Sequence, residues 1–197
     1  MQTLVVASAN SSKLRELTSI LGELDVVLQS QSKLGVTPVE ENGMSFLENS
    51  LIKARYASKA TGLPALADDS GLVVDILDGA PGIYSARYAG RDASDEDNVR
   101  HLLEALSVHE GEQFSARFHC AASYVRNPQD PAPVVAEADW HGCIIAEPKG
   151  DNGFGYDPVF YIPELKSTAA ELSEATKNRF SHRARAFKKL CAKLKQL

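Results

Sequence analysis

The N-terminus does most to limit what this chain can fold into. Thr3-Leu4-Val5-Val6-Ala7 is an apolar run of strand length, followed by the polar segment Ser8-Ala9-Asn10-Ser11-Ser12-Lys13. Leu14, Leu17, Ile20, Leu21 and Leu24 then repeat at helical spacing. Buried strand, polar loop and helix in immediate succession is the opening of an α/β sheet. Val26-Val27-Leu28 suggests a second strand. Phe46, Leu47, Leu51, Ala54 and Ala57 mark a second helix, from about 45 to 61, which Gly62 and Pro64 end. Ala65-Leu66-Ala67 and Leu72 to Leu77 read as short strands flanking a polar turn, Asp68-Asp69-Ser70-Gly71. Ser94 can cap a helix running to Leu106, with Asp95, Glu96 and Asp97 at the positive end of its dipole. Residues 115–125 and 133–147 are β-like, joined by Asn127-Pro128-Gln129-Asp130-Pro131 as the loop of a long hairpin. Thr168-Ala169-Ala170-Glu171 is a capping box, after which the C-terminus reads as helical, with Phe187, Leu190 and Leu194 on one face. Helices alternating with strands, plus a hairpin, predict a mixed α/β sheet flanked by helices rather than a purely parallel one. There is no repeat and no linker, so residues 1–197 are expected to form one domain.

Composition excludes several classes. Of 197 residues, 44% are hydrophobic, and 21 Lys and Arg face 26 Asp and Glu for a net charge of -5, which disfavours disorder. The charge is split: residues 177–197 hold eight Lys and Arg and no acid, leaving 13 basic against 26 acidic residues, or -13, in the rest. The N-terminal apolar run has no basic flank and is shorter than the roughly 7 to 15 residues of a signal-peptide core. Nor does any stretch approach the roughly 18 apolar residues of a membrane span. A cytoplasmic protein with no membrane partner is expected. Cys120, Cys143 and Cys191 are widely spaced without a CxxC pattern, as reduced packing residues would be.

Several segments carry residues suited to chemistry. Ser8 to Lys13 sits where a strand feeds a helix, so backbone N–H groups and the helix dipole favour an anion there; a plain helix cap with a solvated lysine is the bland alternative. It is not a Walker loop, since GxxxxGK[ST] is absent. Asp68-Asp69 follows an apolar strand and projects carboxylates from a strand end, the usual place of sites in open α/β sheets. Oxygen ligands from Asp69 and from Glu40 or Glu41 would suit Mg2+, which takes one or two carboxylates and bridges substrate phosphates. Lys53 lies on the intervening helix and becomes meaningful only if those acids come near it. Gly153-Phe154-Gly155-Tyr156-Asp157-Pro158 can lay an aromatic face against a flat ligand, or serve simply as a turn into the strand Val159-Phe160-Tyr161. Lys177 and Ser181-His182-Arg183 bring donors to the start of the last helix.

Together, Ser8-x-Asn10-x-x-Lys13, Ala67-Asp68-Asp69-Ser70-Gly71, Gly79-Ala80-Pro81-Gly82-Ile83-Tyr84-Ser85-Ala86-Arg87, Phe154-Gly155-Tyr156-Asp157-Pro158 and Ser181-His182-Arg183 resemble the inosine/xanthosine triphosphate pyrophosphatase family, bacterial members most closely. The motifs fall in the family's order over essentially the whole chain. The resemblance implies an elongated mixed sheet with two interlocked lobes around a central cleft, a homodimer, and Mg2+-dependent hydrolysis of deaminated purine nucleoside triphosphates to monophosphate and pyrophosphate. It implies that Ser8, Ala9, Asn10, Ser11, Ser12 and Lys13 hold the triphosphate, with Lys53 as a second cation. Asp69 is implied as general base or metal ligand, and Glu40 or Glu41 as the other metal carboxylate. Ser70, Phe154, Gly155, Tyr156, Asp157, Lys177, His182 and Arg183 fall to the nucleoside end. One departure stands out: Ser8-Ala9-Asn10 replaces the family's usual Thr-Gly-Asn, and Ala9 adopts positive φ less readily than glycine.

Two other readings compete. A basic tail can bind nucleic acid phosphates, but Phe187, Leu190 and Leu194 are spaced to pack on the body, which favours no nucleic-acid partner. A pyrophosphatase for modified pyrimidines shares the chemistry and differs only in its base pocket.

Overall fold

The computed structural model of the protein describes residues 2–8, 17, 18, 21 and 26–196. The N-terminal apolar run forms β1 (Gln2–Val6), and β2 (Val26–Ser30) lies parallel beside it. Of the helix expected between them, Leu17 and Leu21 are described, and both are helical and buried. Helix α1 (Phe46–Thr61) starts where the Ser45 hydroxyl accepts from the Glu48 amide at 3.2 Å, and it stops at Gly62, whose φ of 70° only glycine adopts readily. β3 (Ala65–Val74) follows, parallel to β1 through Val5↔Ala65 and Val6↔Leu66. Helix α2 (Asp95–Leu106) carries the Ser94/Asp97 capping box. β4 (Gln113–Val125) and β5 (Val134–Ile145) flank the predicted loop; β6 (Phe160–Ile162) and β7 (Ser167–Thr168) add antiparallel pairs. Two helices, α3 (Glu174–Phe180) and α4 (His182–Leu194), complete the chain. The strands bond in the order β2-β1-β3-β4-β5-β6-β7, and with parallel and antiparallel pairs both present the sheet is mixed, as expected.

Three local expectations are corrected. Asp68-Asp69-Ser70-Gly71 is not a turn but the middle of β3, because its polar side chains find buried partners on both faces of the strand. Asp75–Leu77 is a 3-10 turn, not the end of a strand. The Thr168/Glu171 box caps only the 3-10 turn Ala169–Glu171, and extended backbone at Leu172 (ψ 145°) and Ser181 (ψ 156°) divides the C-terminus into separate helices.

The chain divides into two compact units. The first comprises Met1–Ser70, Cys120–Ala138 and His182–Leu197; the second comprises Gly71–His119 and Asp139–Ser181. In the first unit, strand alternation sorts the core into two layers. Leu4, Val6 and Leu66 point to one side with Phe187 and Leu190 of α4, whereas Val5, Ala7, Ala65 and Ala67 meet Ala54 and Ala57 of α1 on the other. The second unit has its own core around Leu72, Leu102, Phe118, Trp140, Phe160 and Ile162. No helix among the described residues is long and apolar enough to cross a membrane.

Candidate active site

The alternation that sorts the core also sorts the acids of β3. Ala65, Ala67 and Asp69 share the side of the strand that meets α1, and Leu66, Asp68 and Ser70 share the side that meets α4. Asp68 and Asp69 are therefore adjacent in sequence but serve different clusters.

On the α1 side, Asn49 and Lys53 are four residues apart and so lie on one helix face. Lys53 Nζ contacts Asp69 Oδ1 at 2.9 Å and Glu41 Oε1 at 3.1 Å. The Asn49 amide donates to the other oxygen, Asp69 Oδ2, at 3.2 Å. Burial works to lower the Lys53 pKa, but Asp69, Asp68 and Glu41 together hold it above its ordinary value, so the ammonium stays charged throughout the neutral range. Behind this cluster Ser50 Oγ lies 3.2 Å from the Ala67 carbonyl oxygen and 2.7 Å from Ser123 Oγ, fixing α1 against the sheet. Of the two neighbouring glutamates, Glu41 is the one at Lys53, while Glu40 is exposed. The two carboxylates that meet at Lys53 are hard oxygen donors, the ligand type that hard divalent cations take. Among the described residues no group of three or more His, Cys, Asp or Glu could hold a metal unaided.

On the α4 side, Arg183 is only 2% exposed; its Nε meets Asp68 Oδ2 at 3.3 Å and its Nη2 meets Ser70 Oγ at 2.9 Å. His182, at the first position of α4, is buried beside it in sequence. Ser8 lies just past the end of β1, its amide bonded to the Val6 carbonyl at 2.9 Å. Ala9, Asn10, Ser11, Ser12 and Lys13 lie outside the described residues.

The second unit holds the aromatic loop. Asp157 Oδ2 accepts from the Phe154 amide at 2.9 Å and pairs with Lys177 Nζ; that ammonium stands over the Phe154 ring, 4.7 Å from its centroid. Gly153, at φ 83°, is required because a Cβ there would collide with the Asp157 carboxylate. The Gly155 amide donates to Asp95 Oδ2 at 2.7 Å. Tyr156 sits in the core, 3% exposed, with its hydroxyl donating to the Ser85 carbonyl at 2.8 Å and its pKa pushed up by burial. The structure thus gives Tyr156 the work of anchoring the loop, and leaves Phe154 as its aromatic face.

Sequence reading missed Asn49 and the pairing of Asp68 with Arg183. A signal for the first existed, since Asn49 precedes Lys53 by one helical turn; for the second there was none, because the partners are 115 residues apart.

An open mixed sheet with helices on its faces and an acid–lysine cluster where β3 meets α1 defines an α/β enzyme of acid-and-cation chemistry. The chain belongs to the Ham1 family, whose model matches residues 4–193. It is 51% identical over 190 residues to the dITP/XTP pyrophosphatase of Escherichia coli O157:H7, covering 96% of each chain. It is 51% identical over 188 residues to that of Yersinia pestis, covering 95% of each. Among solved structures, a HAM1 protein from Coxiella burnetii superposes with a TM-score of 0.94 at 47% identity over 100% of both chains. A nucleoside-triphosphatase / dITP/XTP pyrophosphatase from Mycobacterium abscessus gives 0.77 at 44% identity, covering 95% of this chain and 98% of that one.

Proposed function

We propose that this chain hydrolyses deaminated purine nucleoside triphosphates, ITP, dITP and XTP, to the nucleoside monophosphate and pyrophosphate, clearing them from the nucleotide pool. The observation that carries the reading is Lys53 held between Asp69 and Glu41, in a chain half identical over nearly its whole length to dITP/XTP pyrophosphatases.

The reaction must cut a polyanion between its α and β phosphates. Asp69, with its oxygens oriented by Lys53 and Asn49, positions and deprotonates a water for attack on the α phosphorus. Lys53, charged throughout the neutral range, meets the negative charge that grows on the departing pyrophosphate. Glu41 and Asp69 would hold Mg2+, which would supply Lewis-acid neutralisation of phosphate charge. Ser8 to Lys13 supply further donors to the triphosphate. Phe154, Asp157, Lys177, His182 and Arg183 are assigned to the nucleoside end, where hypoxanthine and xanthine present an acceptor at position 6 and adenine presents a donor. Donors placed for the acceptor would be left unpaired by adenine.

The test incubates the purified protein and Mg2+ with ITP, XTP, dITP, GTP and ATP and identifies the released anion. Pyrophosphate is expected, with ITP favoured over ATP by at least about 100-fold in kcat/KM. Orthophosphate as the product, or comparable turnover of ATP and ITP, would overturn the reading.

A further inference from the structure

We infer that Asn49 is a positioning residue, which fixes the Asp69 carboxylate and the segment carrying Glu41 through a single side chain. The inference rests on the reading of Asp69 as the catalytic carboxylate and of Glu41 as its metal-holding neighbour. Asn49 is 0% exposed, so water cannot substitute for its partners. Its Oδ1 accepts from the Gly43 amide at 2.8 Å, and its Nδ2 donates to Asp69 Oδ2 at 3.2 Å. Chemistry fixes this orientation: a backbone N–H only donates, so the oxygen must face Gly43, and the NH2 is left for a carboxylate that only accepts. Gly43 follows Glu41 by two residues, and a Cβ there would stand 2.8 Å from Asn49 Oδ1, so the absence of a side chain at 43 is what lets the tether form. Lys53, one turn along α1, takes Asp69 Oδ1. Both carboxylate oxygens are thus held from one helix, and the plane of Asp69 is set by Asn49 and Lys53 jointly.

Replacement by a carboxylate separates the two ends of the amide. Asn49→Asp keeps an acceptor for Gly43 and places an acceptor where Asp69 needs a donor, whereas Asn49→Ala removes both. If Asn49 acts on Asp69, Asn49→Asp lowers kcat on ITP about 10- to 100-fold while KM stays within about threefold. In that variant amide hydrogen exchange at Gly43 remains slow. Asn49→Ala lowers kcat likewise and speeds Gly43 exchange, with slow exchange elsewhere in the β1–β3 core retained. A role confined to propping the loop predicts instead that Asn49→Asp turns over like the wild type. A kcat for Asn49→Asp within threefold of wild type would overturn the inference; should that variant not fold, the same threshold applied to Asn49→Ala decides, since it buries no charge. Asp69→Ala supplies an arm independent of activity, because Asn49 then loses its second anchor and Gly43 exchange quickens; unchanged exchange would sink the coupling. A wild-type protein inactive on every nucleotide would refute the proposed function and leave that arm to decide on the tether.

Discussion

Asp130 shows how much of this molecule rests on single carboxylates. Its side chain is 1% exposed at the tip of the β4–β5 connection and accepts from Arg126 Nε at 3.0 Å, Arg126 Nη2 at 2.6 Å, and the amides of Arg126 and Ala132 at 2.9 and 3.0 Å. The same loop is gripped by Arg55, which donates to the carbonyls of Pro128 at 2.7 Å and Asp130 at 2.9 Å. The Arg126 guanidinium and the two amides hold the Asp130 carboxyl well below the usual carboxylate range, against the opposing effect of burial. A carboxyl depressed in the folded state stabilises fully above its unfolded pKa near 3.9, and that stability drains away as pH falls from there towards the folded value. The substitution Asp130→Asn keeps the volume and turns one acceptor into a donor facing Arg126. Because Arg126 is 52% exposed, solvent screening reduces the effect. This variant is expected to lose about 1 to 3 kcal/mol in urea unfolding at pH 7, with the gap to wild type closing below pH 4. Equal stability at pH 7 would show that the loop is held by other means.

At the scale of the element, α1 explains why the acidic cluster has its shape. One face carries Asn49 and Lys53 towards Asp69, and the neighbouring face is made of small residues, Ser50, Ala54 and Ala57, all fully buried against the sheet. Only side chains this small let the helix axis come close enough for Lys53 Nζ to reach both acids. Ala54→Leu should therefore act twice. Overpacking is expected to destabilise by about 1 to 3 kcal/mol in urea, and outward displacement of the helix should reduce kcat on ITP more than the stability loss alone explains. A variant with wild-type kcat would show that the helix position is not set by this contact. The helix itself was legible from its apolar period and its Gly62 stop, and so were the β4–β5 hairpin and the mixed sheet. The interior of β3 was not. Asp, Ser and Gly favour turns on local grounds, and a single strand prevails only because Lys53 answers Asp69 from one side and Arg183 answers Asp68 and Ser70 from the other, across 113 and 115 residues of chain. For the site, residue type and place pointed to Asp69, whereas Lys53 took its meaning only from the acids brought to it; that Glu41 and not Glu40 meets Lys53 needed the fold, because neighbours in a loop differ only in where the backbone turns them.

For the whole molecule, the basic C-terminus takes on a structural meaning. Eight Lys and Arg in residues 177–197 look like a docking arm in sequence. Yet Arg183 is buried against Asp68 and Ser70, and Lys189 and Lys193 donate to the carbonyls of Glu137 and Val135 at 2.9 and 2.7 Å. The opposite face of α4 puts Ala186, Phe187, Leu190 and Cys191 into the core shared with β1, β3 and β4. The first unit is thus assembled from three distant stretches of chain, the last being α4 itself. Its core cannot close until the final residues are available, and the sequence separation makes this closure costly in chain entropy. Removing residues 182–197 takes away one wall of that core and the cation that faces Asp68. Losing Phe187 alone would cost about 3 to 5 kcal/mol, a large part of the roughly 5 to 15 kcal/mol that keeps a domain folded. The truncated chain is therefore expected to lose cooperative unfolding of the first unit in urea followed by far-UV circular dichroism. The single tryptophan, Trp140, lies in the core of the second unit. Its fluorescence thus follows that unit separately, so loss of the first can be told from general collapse. A truncated protein with the wild-type midpoint and amplitude would show that α4 decorates the first unit instead of completing it.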